Sequence, residues 1–210
     1  MLGGSSHLSE DMIVDLYERH ARDYDQDRGK TLQERTWLDR FLSWIPARAT
    51  VLDVGCGSGE PIGQYVIERG FEVTGVDSSP SMIELCRERF PNSEWLVADM
   101  RELKLGRRFG GILAWDSFFH LGKDAQRAMF PRLACHASRG APLMFTSGSA
   151  EGESIGRLRG EPLYHASLSP VEYERLLTAA GFVVRAYTAD DARCGGHTVW
   201  LATYETNGAV

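Results

Sequence analysis

The spacing of apolar residues changes repeatedly along this chain, between short continuous runs and a helical period. Short apolar runs bounded by turn residues predict seven strands, at 50–54, 72–76, 94–98, 110–115, 141–146, 182–188 and 198–204. Apolar residues three or four positions apart predict helices, at 9–24, 31–44, 61–69, 80–90, 123–135 and 170–180. Strands that alternate with helices predict an α/β fold, a doubly wound parallel sheet with helices on both faces.

Single residues refine these elements. Ser9 is predicted to cap the first helix, and Leu38, Phe41 and Leu42 are predicted to face inward from the second. Pro131 is predicted to kink its helix, because proline cannot donate the helical hydrogen bond. The segment 147–168 carries glycines and charges and is interpreted as a loop that covers a bound acceptor.

A glycine-rich turn follows the first predicted strand, in the sequence VLDVGCGSG at 51–59. Gly55, Gly57 and Gly59 allow positive φ angles and leave bare backbone against which a ligand can lie. The third glycine comes one position too early for the dinucleotide fingerprint, and Glu60 stands where that fingerprint has glycine. Because a carboxylate would repel a pyrophosphate at the helix start, the turn favours a positively charged ligand without phosphates.

Acids close three consecutive predicted strands. Asp53 is placed to receive a cationic amine, and Asp77 has about the spacing at which an acid receives ribose hydroxyls. Asp99 can accept from an adenine amino group while Met100 lies against the ring. Each acid alone could instead cap a helix or turn. Ligands of open α/β sheets bind outside the carboxyl ends of strands, however, and all three acids fall there.

With these residues the chain resembles the class I S-adenosylmethionine-dependent methyltransferases. The segments that carry the resemblance are VLDVGCGSG at 51–59, VTGVDSSPSMIELCRERF at 73–90, VADM at 97–100, ILAWDSFFHL at 112–121 and GFVV at 181–184. The resemblance implies S-adenosyl-L-methionine as cofactor and S-adenosyl-L-homocysteine as product. It also implies that the final strand runs antiparallel to its neighbours, so that the doubly wound, seven-stranded sheet is mostly parallel and Rossmann-like.

The resemblance also implies which residues bind the cofactor. They lie in the glycine turn and at the ends of the first four strands: Asp53, Gly55, Cys56, Gly57, Gly59, Asp77, Ser78, Met82, Asp99, Met100, Trp115 and Asp116. Asp53 and the turn are expected at the methionine end, Asp77 at the ribose and Asp99 at the adenine amine.

Two tyrosines ahead of the core, Tyr17 and Tyr24, fall in the pattern Y-x-x-x-A-x-x-Y-D at 17–25. This pattern resembles a segment of many small-molecule methyltransferases that covers the cofactor, with its tyrosines near the sulfonium and the carboxylate. An aromatic face attracts a cation by ~0.5–2 kcal/mol. The alternative is that both tyrosines only pack a helix against the sheet.

Candidates for the acceptor site follow the fourth strand or lie late in the chain: Phe119, His120, Tyr164, His165 and His197. His120 and His165 are the candidate general bases, and a base is needed only where the acceptor arrives protonated. Any of these histidines could instead be hydrogen-bonded structure. His197 lacks the further ligands of a metal site, and no metal is expected.

The acceptor class stays open between an oxygen, nitrogen, sulfur or carboxylate of a small molecule. No Pro-Pro-aromatic motif follows the fourth strand, as the family's methylation of base amino groups would require, and no Asp-Asn pair for magnesium is present. A catalytically silent S-adenosylmethionine-binding module is an alternative, since it would need only residues 51–99. An NAD(P)-dependent oxidoreductase conflicts with Glu60.

Composition is that of an ordinary globular chain. The 210 residues, 43% of them hydrophobic, predict a single domain, with an N-terminal helical cap at 1–45 and a core at 46–210; residues 1–6 are predicted to be a loose tail. A net charge of −6 argues against a nucleic-acid partner, and no apolar stretch predicts a membrane span. Four cysteines without a C-x-x-C pair predict a cytoplasmic location. A monomer or a homodimer is expected.

Overall fold

The computed structural model describes residues 11–205. Its helices are α1 (Asp11–Arg19), α2 (Ala21–Asp27), α3 (Arg35–Leu42), α4 (Ile62–Glu68), α5 (Pro80–Arg89), α6 (Lys123–His136) and α7 (Pro170–Ala179). Its strands are β1 (Thr50–Val54), β2 (Glu72–Asp77), β3 (Glu94–Val97), β4 (Gly111–Ala114), β5 (Pro142–Ser147), β6 (Gly152–Leu158), β7 (Glu161–Ser167), β8 (Phe182–Asp191) and β9 (His197–Tyr204).

Seven strands form one sheet in the order β3-β2-β1-β4-β5-β9-β8, and β6 pairs with β7 in a separate hairpin. Neighbours among β1 to β5 are parallel, whereas β9 runs antiparallel to β5 and β8. The predicted doubly wound, mostly parallel sheet is confirmed, and so is the antiparallel final strand. The strand order reverses between β1 and β4, which opens a crevice at the carboxyl ends of these strands.

The sheet is buried on both faces, because successive strand residues point to opposite sides. On β1, Leu52 and Val54 join an apolar cluster that includes Phe130 of α6. Val51 joins a second cluster, which includes Leu38 of α3. Burial on both faces explains why this strand is a continuous apolar run in the sequence.

Most predicted elements agree with the structure to within one or two residues at their ends, and the inward-facing residues of α3 are buried as predicted. The second predicted helix is shorter than expected, because it begins only at Arg35. The α6 helix continues through Pro131 to His136, so this proline does not end it.

Two predictions were wrong. The first predicted helix is divided at His20, whose ring thereby reaches Glu161 of the hairpin at 2.6 Å; Ser9 and residues 1–6 lie outside the described residues. The segment predicted as a loop contains the β6–β7 hairpin. Arg159 and Gly160 connect its strands with φ angles of 51° and 86°, the geometry of a two-residue turn that matches the twist of a hairpin.

Candidate active site

A cleft lies at the carboxyl ends of β1 to β4, and α1 and α2 form one of its walls. All the predicted cofactor residues except Gly59 line this cleft: Tyr17, Tyr24, Asp53, Gly55, Cys56, Gly57, Asp77, Ser78, Met82, Asp99, Met100, Trp115 and Asp116. Gly59 instead packs towards α5, where an added Cβ would lie 3.2 Å from Phe90. The cleft also includes His120, one of the two candidate bases.

The glycine turn is fastened to the neighbouring strand by its backbone. The amides of Gly55 and Cys56 donate to the carbonyl of Val76 at 2.8 and 3.0 Å. Gly55 has a φ of 76°, and a Cβ there would lie 2.3 Å from the Cβ of Ser117. The open side of the turn is at Gly57, where a Cβ would meet nothing nearer than Tyr24 at 4.0 Å. Bare backbone therefore faces the cleft at Gly57.

Asp77 organises the turn and begins α5. One carboxylate oxygen accepts from the amide of Gly57 at 2.9 Å, and the other accepts from the amide of Ser79 at 2.9 Å. Ser79 in turn caps α5, because its hydroxyl accepts from the amide of Met82. Burial raises the pKa of Asp77 above its ordinary value, although these amides oppose the shift. Asp77 therefore lines the cleft and also accepts from the backbone at the start of α5, as a capping residue would.

Asp53 is a second buried acid of the cleft whose pKa is raised. Its side chain is buried within β1, and burial together with the nearby charge of Asp77 raises the pKa of Asp53 to about 7. A cation that entered the cleft would offset both causes and favour the ionised form of Asp53.

Asp99 is held by its own turn. Its carboxylate accepts from the backbone amide of Arg101 at 2.8 Å and pairs with the Arg101 guanidinium at 2.7 Å. Burial by itself would raise the pKa of Asp99, but the hydrogen bonds from Arg101 outweigh it and leave the pKa below its ordinary value. The cleft therefore presents Asp99 as an ionised acceptor beside Met100.

Tyr17 and His120 form a hydrogen-bonded pair between the cap and the core. The His120 Nδ1 lies 2.9 Å from the carbonyl of Tyr164, so this nitrogen carries the proton and donates. Burial lowers the pKa of His120 to about 4, which leaves its ring neutral and its Nε2 free to accept from the Tyr17 hydroxyl at 3.0 Å. Tyr24 packs edge-on against Tyr17, with ring centroids 5.2 Å apart.

The other acceptor candidates lie beside this pair. His165 packs against Phe119 and His120 with its ring tilted to both, and the ring centroids are 5.2 and 4.8 Å away. Tyr164 is buried, and its carbonyl fixes the ring of His120. The structure therefore brings four of the five candidates into one cluster.

His197 lies apart from that cluster. Its Nε2 is 2.9 Å from a carboxylate oxygen of Asp116, and its Nδ1 is 2.6 Å from the carbonyl of Cys194. The hydrogen bond to Asp116 raises the pKa of His197. Because a carboxylate and a carbonyl face its two ring nitrogens, both nitrogens can carry protons. His197 then orients the Asp116 carboxylate as a positively charged hydrogen-bond donor.

Sequence reasoning missed two residues of the cleft region. Arg28 lines the cleft, and its guanidinium lies 3.9 Å from the carboxylate of Asp116. In the sequence it could have been noticed only because it follows the Y-x-x-x-A-x-x-Y-D pattern by three residues. Glu18 accepts hydrogen bonds from the hydroxyl of Ser81 at 2.7 Å and from its amide at 3.0 Å. It thereby fixes α1 on the first turn of α5.

Glu60 is less able to repel a pyrophosphate than the sequence indicated. Glu60 does lie at the wall of the cleft. Lys30 and Arg89 pair with its carboxylate at 2.9 and 3.2 Å, so much of its charge is neutralised. The exclusion of a pyrophosphate therefore rests less on Glu60 than the sequence indicated.

The residues present fit S-adenosylmethionine. Acids at the ends of β1 and β2 face the cleft without a paired lysine or arginine among residues 11–205, which suits a cationic ligand. The indole Nε1 of Trp115 is buried in the wall of the cleft without a protein partner in that range. Buried polar groups normally have partners, so a polar ligand would satisfy this N–H.

Residues 11–205 contain no group of three or more histidine, cysteine, aspartate or glutamate side chains that could hold a metal ion. None of their helices has the length and apolar composition needed to cross a membrane.

Comparison with known proteins gives consistent results. Residues 51–140 match the methyltransferase domain family. The chain is 33% identical over 126 residues to dTDP-3-amino-3,6-dideoxy-alpha-D-glucopyranose N,N-dimethyltransferase of Streptomyces fradiae, covering 59% of this chain and 48% of that protein. The chain spans half or less of the length of this and other curated relatives that it matches.

Solved structures share the whole fold. The CcbJ methyltransferase from Streptomyces caelestis superposes with a TM-score of 0.73 at 18% identity, covering 90% of this chain and 98% of that one. CalS10 from Micromonospora echinaspora, an amino pentose methyltransferase solved with S-adenosylmethionine bound, gives 0.68 at 20% identity, covering 88% and 95%. At these identities the likeness shows the fold.

Proposed function

We propose that this chain, whose residues 51–140 match a methyltransferase domain family, is a class I S-adenosylmethionine-dependent methyltransferase that transfers a methyl group to a small-molecule acceptor. The observation that carries the proposal is the cleft at the strand-order reversal, which is lined by the buried Asp53 and by Tyr17 and Tyr24. Aromatic faces and an acid of raised pKa together suit a cationic donor.

The cofactor orientation follows from the charges along the cleft. We place the methionine end at Asp53 and the glycine turn; Arg28, which also pairs with Glu34 at 3.3 Å, is the arginine proposed to receive its carboxylate. Asp77 is placed at the ribose, and Asp99 at the adenine amine. Ser78, Met82 and Met100 would lie along the adenine, with Trp115 and Asp116 beside the sulfonium.

The chemistry assigned to the protein is orientation, exclusion of water and proton transfer. S-Adenosylmethionine, when bound, supplies a methyl group that an acceptor lone pair displaces in line. The neutral His120 is the proposed base: its ring lines the cleft and its Nε2 accepts from the Tyr17 hydroxyl, so a proton taken from the acceptor would pass to Nε2 through that hydroxyl. His165 lies next to it and is neutral as well, since burial lowers its pKa.

Several wider assignments are supported less directly. The amino-sugar activity of the Streptomyces relative supports a small-molecule acceptor here. The described part of the cap packs on the core, which supports one domain. Four free cysteines support a reducing, cytoplasmic setting. We retain a monomer or a homodimer that acts without nucleic acid or membrane.

A thermal-shift experiment tests the proposal. S-Adenosylmethionine and S-adenosylhomocysteine should each raise the unfolding temperature, because a ligand at a hundred times its Kd adds ~2.7 kcal/mol of stability. NAD and NADP serve as matched nucleotide controls and should leave it unchanged. A shift with NAD alone would contradict the proposal and support the oxidoreductase alternative.

A second arm separates an enzyme from a silent binding module. His120→Ala should keep the shift with S-adenosylhomocysteine but lose about 100-fold or more in kcat, the scale of general base catalysis. Turnover is measured as S-adenosylhomocysteine released over a panel of acceptors. Binding without turnover across that panel would favour the silent module.

A further inference from the structure

Two cations lie on opposite sides of the Asp116 carboxylate. The Nε2 of His197 is 2.9 Å from one carboxylate oxygen, and a guanidinium nitrogen of Arg28 is 3.9 Å from the other. The φ angle of Asp116 is 49°, and its amide donates to the buried hydroxyl of Thr146 at 2.9 Å. Few residues other than glycine adopt such a φ angle. The backbone at Asp116 is therefore held in an uncommon conformation, in which the carboxylate reaches both cations.

Glu34 adds a second acid beside Arg28. Its side chain is buried just before α3, and its carboxylate lies 3.3 Å from the guanidinium. We call Arg28, Glu34, Asp116 and His197 the Arg28 cluster. When the His197 ring carries two protons, the two positive and two negative charges of this cluster cancel. When the ring carries one proton, the cluster has one negative charge in excess.

Only part of the Arg28 cluster lines the cleft. Arg28 and Asp116 are among the residues of its wall, whereas Glu34 and His197 are not. His197 therefore acts on a molecule in the cleft through Asp116 and Arg28, and not by direct contact.

The other titratable neighbours of His197 within residues 11–205 do not compete for its protons. Asp191 of β8 lies opposite His197 in the strand register, but its carboxylate accepts from an indole of α3 and from an amide of its own turn, both at 3.0 Å. The thiol of Cys194 stays protonated, because burial raises its pKa to about 11. The acids that favour the charged ring are thus Asp116 and, at longer range, Glu34.

Building on the proposed function, in which Arg28 receives the carboxylate of the cofactor, we propose that His197 is a positioning residue that keeps Arg28 available for that carboxylate. With two protons, His197 offsets the charge of Asp116, so the carboxylate approaches a neutral cluster. Once the ring loses its second proton, two acids share Arg28 as their cation, and the excess negative charge repels the carboxylate.

The sign of the pH dependence follows from this arrangement. The contribution of His197 to cofactor affinity is present while its ring is charged and is lost as the pH rises through its pKa. Because Asp116 raises that pKa above the ordinary value of about 6.5, the loss falls on the alkaline side of this value.

Calorimetric titration of the full chain with S-adenosylhomocysteine tests the proposal. At pH 6, His197→Gln should bind about two- to fivefold more weakly than the wild type, the scale of one partly exposed ion pair. At pH 8.5 the ratio of the two affinities should approach one, because both proteins then lack the charged ring. The titrations of Asp53 and of the ligand amine are common to both proteins and cancel in this ratio.

A matched ligand and a matched variant locate the effect. 5′-Methylthioadenosine keeps the adenosine and the thioether but lacks the amino-acid end, so its Kd should be the same for the wild type and His197→Gln. Arg193 is a cation of the same turn; its side chain is 88% exposed and pairs with Asp191. Arg193→Gln should therefore bind S-adenosylhomocysteine as the wild type does at both pH values.

The coupling must be reciprocal, so the ligand should also change the His197 ring. In an NMR titration of the wild type, S-adenosylhomocysteine should raise the pKa of His197, whereas 5′-methylthioadenosine should not. The ring resonance is assigned through its proximity to the Trp115 ring, whose centroid is 5.3 Å away. This measurement decides the question even where His197→Gln does not fold.

The proposal is overturned if His197→Gln leaves the affinity for S-adenosylhomocysteine unchanged at pH 6, or weakens it equally at both pH values. It is also overturned if 5′-methylthioadenosine is weakened by the same factor, or if S-adenosylhomocysteine leaves the pKa of His197 unchanged. Failure of S-adenosylhomocysteine to bind the wild type at all would instead count against the proposed function.

Discussion

Asp53 couples the stability of the chain to the charge of its ligand. Its pKa is about 7 in the folded protein, whereas an aspartate in an unfolded chain titrates near 3.9. Between these values the folded state binds a proton that the unfolded state has released. The contribution of this group to stability is therefore present below about pH 4 and is lost as the pH rises towards 7.

Asp53→Asn should separate the effect of the Asp53 side chain on stability from its effect on cofactor binding. At pH 8 the variant should be more stable than the wild type, by on the order of 2 kcal/mol, because it removes an ionised carboxylate from a buried site. Near pH 4 the two proteins should unfold at similar temperatures. The affinity for S-adenosylmethionine at pH 8 should fall, because the cation loses its counter-charge. Thermal unfolding at both pH values and calorimetric titration measure these effects; an equal stability difference at both pH values would contradict the raised pKa.

At the scale of elements, the large sheet was predictable and the hairpin was not. Strands such as β1 are buried on both faces, so local sequence alone marks them as apolar runs. In contrast, β6 is largely exposed, with only Gly156 and Leu158 partly buried, and it therefore leaves no apolar pattern to recognise. Its position depends on contacts with distant parts of the chain.

Some residues of the site could likewise be predicted from local sequence, whereas others could not. Acids at strand ends and a glycine turn are local features, so residues such as Asp77 were found from sequence. The pair of Tyr17 and His120 joins residues 103 positions apart, and no spacing rule reports such a contact. The same holds for Glu18, whose partners on α5 lie 61 and 63 positions away.

Ion pairs between the cap and the hairpin should control opening of the cleft. Arg19 of α1 and His20 both contact the carboxylate of Glu161 at 2.6 Å, and Arg159 pairs with Asp27 at 2.9 Å. Glu161→Gln should leave the global free energy of unfolding within about 1 kcal/mol, because exposed ion pairs contribute little. Amide hydrogen exchange in α1 should nevertheless become faster.

The matched control for this prediction is Glu174→Gln on α7. Glu174 is exposed and its side chain forms no ion pair within residues 11–205. Exchange in α1 should be unchanged in this variant. Equal exchange rates in both variants and the wild type would mean that the hairpin does not hold the cap.

Across the whole molecule, the cap and the core share buried contacts. Leu38 and Phe41 of α3 belong to the same apolar cluster as β1. The indole of Trp37 donates to Asp191 at the end of β8 at 3.0 Å, and Arg89 of α5 pairs with Asp25 of α2. The cap therefore has too few independent contacts to fold by itself, which supports the single-domain assignment.

Unfolding of the full chain should accordingly be one cooperative transition. Far-ultraviolet circular dichroism, which follows the whole chain, and tryptophan fluorescence, which includes Trp37 in the cap and Trp115 in the core, should give the same midpoint. The van't Hoff enthalpy should equal the calorimetric enthalpy, and S-adenosylhomocysteine should move the whole transition upward, because the cleft proposed for it is lined by residues of both cap and core. Two resolved transitions, with only one shifted by the ligand, would show that the cap unfolds separately and that the cleft forms only when it docks.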